Sequence, residues 1–376
     1  MIRKIIYSIA LLYAVLLTGC AMGPQGFFAL GNEKIKKYDC QSSADYQKAA
    51  EMELEDEGDW YPIYMLSLGL SRYYCSDYDG ALKAFGVLDQ YAVLRSDRGA
   101  AEKTFEFLKS KGNRSYELTE REETLLHFYM GMINFKKAQF EDAMVEFKKV
   151  DYIADGVYSS LPLVALMRGL TYEKLNDKGN ALVAYKKVAE QNKLSPVGFM
   201  LAYRLEIAEG NKKYWATELK NKFDIDVQSI PFNKKEIFTI VECANGLPSN
   251  YKFNITYNQI VNRAYLLDAV NPDFSFGDFA SGVLKEVGSK LARDLVKQGA
   301  ASLIPGGGLI AGLFLGGDKA ENRAWMNLPE IFIVDIAYLD EGAYNVKVQY
   351  LEDNSVEKEK VTSLDTNSNI VFVTNF

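Results

Sequence analysis

Three segments of this chain repeat one spacing, and that repeat restricts the fold more than any other feature. A glycine is followed 12 residues later by an alanine and 4 residues after that by an aromatic ring. The segments are Gly69, Ala81, Phe85 in "LSLGLSRYYCSDYDGALKAF", Gly131, Ala143, Phe147 in "FYMGMINFKKAQFEDAMVEF", and Gly169, Ala181, Tyr185 in "LMRGLTYEKLNDKGNALVAY". Internal repetition on this scale predicts a stack of supersecondary units rather than one globular core. The repeats lie 62 and then 38 residues apart, so the array is irregular, with room for an extra helix around Ala100–Lys111. Two more helices are expected at Pro196–Glu209 and Lys213–Phe223.

The pattern resembles the tetratricopeptide (TPR) repeat. That resemblance implies paired antiparallel helices brought close by the small residues, with the aromatic filling the gap to the next repeat. Tyr172 matches the family's tyrosine three residues after the glycine, whereas Arg72 and Asn134 depart from it. The tryptophan that opens a repeat is matched only loosely by Trp60, and the closing proline is absent or displaced to Pro196. Arrays of this kind offer a concave face that usually holds a peptide or helix of another protein. The acidic run Glu51 to Asp59 lacks calcium-loop spacing and reads as a solvated face.

After Phe223 the texture changes. "EIFTIVECA", "KFNITYNQIV", "PEIFIVDIAYL", "AYNVKVQYL" and "NIVFVTNF" are rich in β-branched and aromatic residues, which suits strands. Tyr344, Val346, Val348 and Tyr350 alternate with polar residues, as in a strand with one buried face. "LDEG" at 339–342 is expected to make a hairpin, and "EDNS" at 352–355 the next. The fold class is therefore α+β and multidomain: a helical solenoid over 45–225, then an antiparallel, sandwich-like β domain over 226–376 with a helical insertion at about 275–320.

The insertion holds Phe279, Val283, Val287, Leu291 and Leu295 at four-residue steps, opposite Lys285, Lys290, Arg293 and Lys297. This predicts an amphipathic helix over Asp278–Ser302, folded across Pro305–Gly308 onto a short helix, Leu309–Leu315. The run from Leu303 to Gly317 is too short to span a bilayer as a helix, and no Lys-Ser or Lys-Thr follows its glycines as a phosphate loop requires. Gly308, Gly312 and Gly316 form a ladder on which another helix can pack. Its occupant is open between the preceding helix, a partner chain or second copy, and the bilayer surface.

The first twenty residues, "MIRKIIYSIALLYAVLLTGC", combine Arg3 and Lys4 with an apolar run from Ile5 to Leu17. That is the make-up of a signal peptide and too short for a membrane span. Leu17-Thr18-Gly19-Cys20 resembles the bacterial lipobox, which implies cleavage before Cys20 and acylation of its sulfur and new amino group. Residues 1–19 are then lost and 20–44 serve as a lipidated tether. Ala21, rather than Asp, follows the cysteine, and by resemblance to enteric sorting rules this implies the outer membrane, facing the periplasm. Loss of Arg3 and Lys4 takes the net charge from −7 to −9. A chain this acidic has no broad attraction to nucleic acid or anionic lipid. The periplasm permits disulfides, so Cys40 and Cys75, on neighbouring N-terminal helices, are either bridged or two buried thiols. Cys243 fits a small core residue.

The phrase "AENRAWMNLPEIFIVDIAYLDEGAYNVKV" is similar to the C-terminal part of an uncharacterised family of bacterial envelope lipoproteins with TPR-like N-terminal halves. There an acidic residue, Arg, Trp and Leu-Pro precede a strand and a Gly-Tyr turn. Here these are Glu321, Arg323, Trp325, Leu328, Pro329, Gly342 and Tyr344. The resemblance implies a part in envelope machinery, alongside lipoproteins that activate cell-wall synthases. Arg323, Trp325 and Pro329 are expected to fix the insertion to the sheet.

Chemistry is sparse. One histidine, His127, and scattered cysteines supply neither a zinc set nor a Ser-His-Asp triad, and no carboxylate pair stands out among 50 acidic residues. The expectation is a non-enzyme without metal or cofactor: a lipid-anchored scaffold or adaptor that binds another envelope protein through its repeats. A self-assembling oligomer built on the glycine-rich hairpin and a wall-active carboxylate enzyme are the alternatives.

Overall fold

The computed structural model describes residues 22–37, 39–56, 60–96, 118–153, 161–193, 195–243, 252–263, 265–269, 331–352, 355–365 and 369–373. Among them are ten α-helices followed by eight strands, an α+β chain. The helices are α1 (Pro24–Ile35), α2 (Ser42–Asp56), α3 (Tyr61–Tyr74), α4 (Tyr78–Ser96), α5 (Glu120–Lys136), α6 (Phe140–Ile153), α7 (Pro162–Lys174), α8 (Lys178–Gln191), α9 (Val197–Leu205) and α10 (Glu209–Phe223). The strands are β1 (Lys235–Cys243), β2 (Lys252–Tyr257), β3 (Ile260–Arg263), β4 (Tyr265–Ala269), β5 (Ile331–Leu339), β6 (Ala343–Glu352), β7 (Ser355–Asp365) and β8 (Ile370–Val373). The helix expected around 100–111, the insertion over 275–320 and residues 1–21 lie outside the described residues.

The repeated spacing places each glycine on the first helix of a hairpin and its aromatic ring on the second. A Cβ added to Gly69, Gly131 or Gly169 would meet the ring of Phe85, Phe147 or Tyr185 at 2.3, 2.5 and 2.2 Å. The ring occupies the volume that any side chain would need, so glycine is required for close approach rather than for flexibility. Ala81, Ala143 and Ala181 are fully buried. A fourth clasp joins α1 to α2, where a Cβ on Gly31 would lie 2.6 Å from the Tyr46 ring. Helix α1, Pro24–Ile35, thus lies inside the segment assigned above to a tether.

The turns repeat too. Ser76, Ala138 and Asn176, each seven residues after its glycine, adopt left-handed backbone with φ of 62°, 58° and 60°. In each turn the next N–H closes back onto the first helix, Asp77 to Arg72 O at 2.9 Å, Gln139 to Asn134 O at 2.9 Å and Asp177 to Tyr172 O at 2.8 Å. This is the Schellman closure of a helix C-terminus, a place usually taken by glycine. A Cβ in that conformation costs roughly 1–2 kcal/mol, so Ala138→Gly should raise the urea midpoint by the equivalent of about 1 kcal/mol. A lower midpoint would contradict the left-handed turn.

Two contact units divide the chain, Met1–Glu117 and Leu118–Phe376. The first contains α1 to α4, with Cys40 before α2 and Cys75 after α3 joined by a disulfide whose Cα atoms are 5.7 Å apart. The second contains α5 to α10 together with every strand, so the boundary drawn at 225/226 falls inside one unit.

The strands form two four-stranded sheets, β4-β5-β1-β8 and β3-β2-β6-β7. They share a core that includes Ile237, Val241, Phe253, Ile255, Ile333, Val346, Val348 and Val371. Cys243 is a free thiol buried in that core. Three expectations are corrected here. The first sheet is mixed, because β8 runs parallel to β1. "LDEG" does not close a hairpin: β5 pairs with β1 and β4 while β6 pairs with β2 and β7, so the turn carries the chain from one sheet to the other. "KFNITYNQIV" is not one strand but the β2–β3 hairpin, turned at Asn258, which takes φ 54°. Asparagine tolerates that region through local hydrogen bonding. "EDNS" closes the β6–β7 hairpin, pairing Glu352 with Ser355.

Candidate functional site

β1 and β5 are apolar on both faces. One face looks into the sandwich, and the other, carrying Glu236, Phe238, Ile240 and Glu242 on β1 and Phe332, Val334, Ile336 and Tyr338 on β5, lies against helices. Phe128 on α5 meets the Phe332 ring edge-on at 5.8 Å, and Phe135 meets Phe372 of β8 at 6.4 Å. At the other end Phe232 bridges Tyr203 of α9 and Tyr338. The helices engaged, α5, α7 and α9, are the first members of successive hairpins. In these hairpins the side that α5, α7 and α9 present is therefore covered by the chain's own sheet.

That seam holds charge. Arg204, near the end of α9, donates to Glu173 of α7 and, at 2.9 Å, to Glu236 of β1. Tyr185 also donates to Glu173, and Tyr338 to Glu236 at 3.0 Å. One guanidinium thus ties two helical hairpins to the sheet through two carboxylates. Burial lifts the Glu236 carboxyl to about 7; Arg204 opposes the rise and Glu173 adds to it. Further along, Glu242 is 1% exposed and accepts from the Tyr129 hydroxyl at 3.4 Å. Lys136 lies over the Phe372 ring at 4.6 Å, its ammonium pushed down to about 8 by burial, while Glu242 acts in the opposite sense. On α5, buried His127 sits 2.7 Å from Glu146 of α6, a bond within one hairpin.

A second polar cluster lies inside the sandwich. Thr239 and Asp335 are register partners on β1 and β5. The Tyr257 hydroxyl of β2 donates to Asp335 at 2.8 Å and lies 2.6 Å from the Thr239 hydroxyl. Asn262 of β3 donates to the same carboxyl at 3.3 Å. Asp335 is 2% exposed, and burial pushes its carboxyl up to about 7 despite those hydrogen bonds. Both Asp335 and Asn262 line a cavity of about 290 Å³ between β5, β3, α9 and the segment after α10, with Met200, Ile230 and Pro231 among its apolar walls.

The shift fixes a pH dependence. An unfolded aspartate titrates near 3.9, so between about pH 4 and pH 7 the folded state holds a proton that the unfolded chain releases. Stability contributed at this site falls over that window and stays low above it. Asp335→Asn cannot ionise. Relative to the parent chain it should gain on the order of 2 kcal/mol between pH 5 and pH 8 in urea unfolding. A pH-independent difference would mean that Asp335 titrates normally.

A third feature, a cleft of about 320 Å³ beside Trp215, is rimmed by Lys186, Lys193 and Lys222. Lys186 is bonded to Glu206 at 2.8 Å and Lys222 to Glu218, so most of that charge is already matched.

Of the site residues chosen from sequence, Cys40 and Cys75 are brought together. Cys20, Gly308, Gly312, Gly316, Arg323, Trp325 and Pro329 lie outside the described residues. Among the described residues no His, Cys, Asp and Glu cluster could hold a metal ion, and no helix is long and apolar enough to cross a membrane. Glu236, Glu242 and Asp335 were not anticipated, although each is an acidic residue inside an apolar strand, in "EIFTIVEC" and "IFIVDIAYL".

No family model matches the chain, and no curated protein matches it. Among solved structures the chain is similar to the TPR2AB domain of yeast Sti1, solved in complex with pHSP90. The identity is 14%, over 55% of this chain and 79% of that one, with a TM-score of 0.24. At that score the likeness carries no weight beyond the geometry above.

Proposed function

We propose that this protein is a lipid-anchored adaptor of the bacterial cell envelope. It is held in the outer membrane through acylated Cys20, faces the periplasm, and binds another envelope protein without catalysing a reaction. The observation that supports this most is the four-fold glycine–aromatic clasp, repeated with the same left-handed turn in three hairpins. That is the construction of TPR-like arrays, whose work is to present surface to other proteins. The covered inner face redirects the reading: the partner is received on surfaces other than the α5, α7 and α9 face. The Cys40–Cys75 bridge suits an oxidising compartment. Proximity crosslinking in native envelopes, with parent and Cys20→Ser chains compared, tests the proposal. One recurrent envelope protein should be captured by the parent and lost with Cys20→Ser, which should also remain unprocessed. Processing and membrane retention of Cys20→Ser would defeat the anchor, and crosslinks scattered over unrelated proteins would defeat the adaptor.

A further inference from the structure

Among the described residues, the edge of β5 is only half covered. β4 pairs with Ile331 to Val334 and stops at Tyr265. On that side no described strand pairs with Asp335 to Leu339. The direction of the free groups follows from the ladder. Phe238 gives its N–H to Asn369 beside β8, so Ile237 and Thr239 face β5, where they meet Ala337 and Asp335. Backbone groups alternate along a strand, which turns those of Ile336 and Tyr338 to the open side. The Ile336 N–H is held by the Asp335 carboxyl.

Beside this half-edge lies the 290 Å³ cavity, lined by Met200, Ile225 and Ile230 as well as by Asn262, Asp335 and Ile336. Its volume is at the small end for ligand pockets and suits one side chain rather than a whole cofactor. The groups that act on Asp335 are the Tyr257 and Asn262 side chains and the Ile336 N–H, with no cation among them. From the other elements packed here, Thr239 reaches only Tyr257, and α9 and the segment after α10 present Val197, Met200, Ile225, Ser229, Ile230 and Pro231. The nearest strong cation on α9, Arg204, is spent on Glu173 and Glu236. A buried carboxyl in the lining of a cleft of mixed polar and apolar walls, with no cation among the groups that act on it, is complementary to a basic side chain delivered into the cleft.

We propose that the open half of β5 and this cavity form a docking site for an extended segment of a partner protein. The segment adds a strand that bonds the Ile336 carbonyl and the Tyr338 N–H and carbonyl, and places a lysine or arginine against Asp335. Main-chain pairing supplies affinity and the pocket supplies specificity, as in other strand-addition complexes. The inference rests on the adaptor reading and names the surface through which that adaptor works.

The test is selection of a displayed random heptapeptide library on the mature full-length chain at pH 8, in parallel on Asp335→Asn and on Ser229→Trp. Ser229→Trp blocks the lip of the cavity from an exposed position outside the core. Both variants are checked for the parent's circular dichroism spectrum. The expected result is enrichment of peptides with Lys or Arg at one fixed position flanked by β-branched residues. A synthetic peptide of that consensus should bind at least tenfold more weakly to either variant, and more weakly when its basic residue is norleucine. Enrichment of peptides without a fixed basic residue, or equal binding to all three chains, overturns the cleft while leaving an adaptor with another docking surface. Enrichment of nothing overturns the cleft, and partner capture in the envelope then decides the adaptor reading separately.

Discussion

Arg204→Met should unfold at a urea midpoint lower by the equivalent of about 3 kcal/mol, with a larger loss at pH 8 than at pH 6. Removing one member of a buried ion pair leaves the other without compensation, and such losses run to roughly 3–5 kcal/mol. Here two carboxylates, Glu173 and Glu236, depend on one guanidinium. The methionine retains the apolar stem's packing, so the loss isolates the charge. The pH sign follows from Glu236, whose carboxyl stands at about 7 even with Arg204 beside it. Without Arg204 it rises further. Below that value Glu236 is neutral in the folded state and its uncompensated charge is avoided; above it, folding must either bury the charge or take up a proton. Adding Glu236→Gln to Arg204→Met should restore part of the loss at pH 8. Equal midpoints at both pH values would show that the seam is held by its aromatic contacts alone.

Reduction of the Cys40–Cys75 bridge, or its replacement by two serines, should cost the first unit about 3–4 kcal/mol. The bridge closes a loop with a sequence separation of 35, and the chain-entropy account gives a loss of that size for such a loop. Serine at both positions avoids a stray thiol. The measurement is protease susceptibility within Met1–Glu117 at rising urea, with and without reductant. Cleavage should begin at lower urea in the double variant and in the reduced parent alike. If reductant changes nothing, the two cysteines are not bridged in solution.

How much of this was readable in advance differs between the two textures. The hairpins from α3 to α8 were legible because glycine, alanine and ring are linked by one steric event, the ring lying on the glycine. The α1–α2 clasp escaped because its ring follows after 15 residues instead of 16 and Ser43 stands where the alanine would be. The strands were legible one by one, but their partners were not. "LDEG" has hairpin chemistry, and nothing local says that the strands on either side enter different sheets. A signal did exist. "IFIVDIAYL" is apolar almost throughout, the pattern of a strand covered on both faces, whereas "YNVKVQY" alternates. Strands so differently exposed are poor candidates for neighbours. The same contrast would have exposed the three carboxylates, since an acid in a strand covered on both faces is buried whichever way it points. The parallel pairing of β8 depends on where the chain crosses between sheets and has no local signature.

The bond from Lys174 to Asn369 spans 195 positions of sequence, and the rings of α5 wait as long for Phe332 and Phe372. During synthesis, α5, α7 and α9 therefore exist with an oily side uncovered until the strands have followed them. Helical repeats can usually form one after another from local contacts, but these must hold an unfinished surface until a distant part of the chain has been made. Closing so long a loop is slow relative to helix formation. A chain arrested between Phe223 and Lys235 should consequently be sticky rather than a tidy half-protein until its sheet arrives.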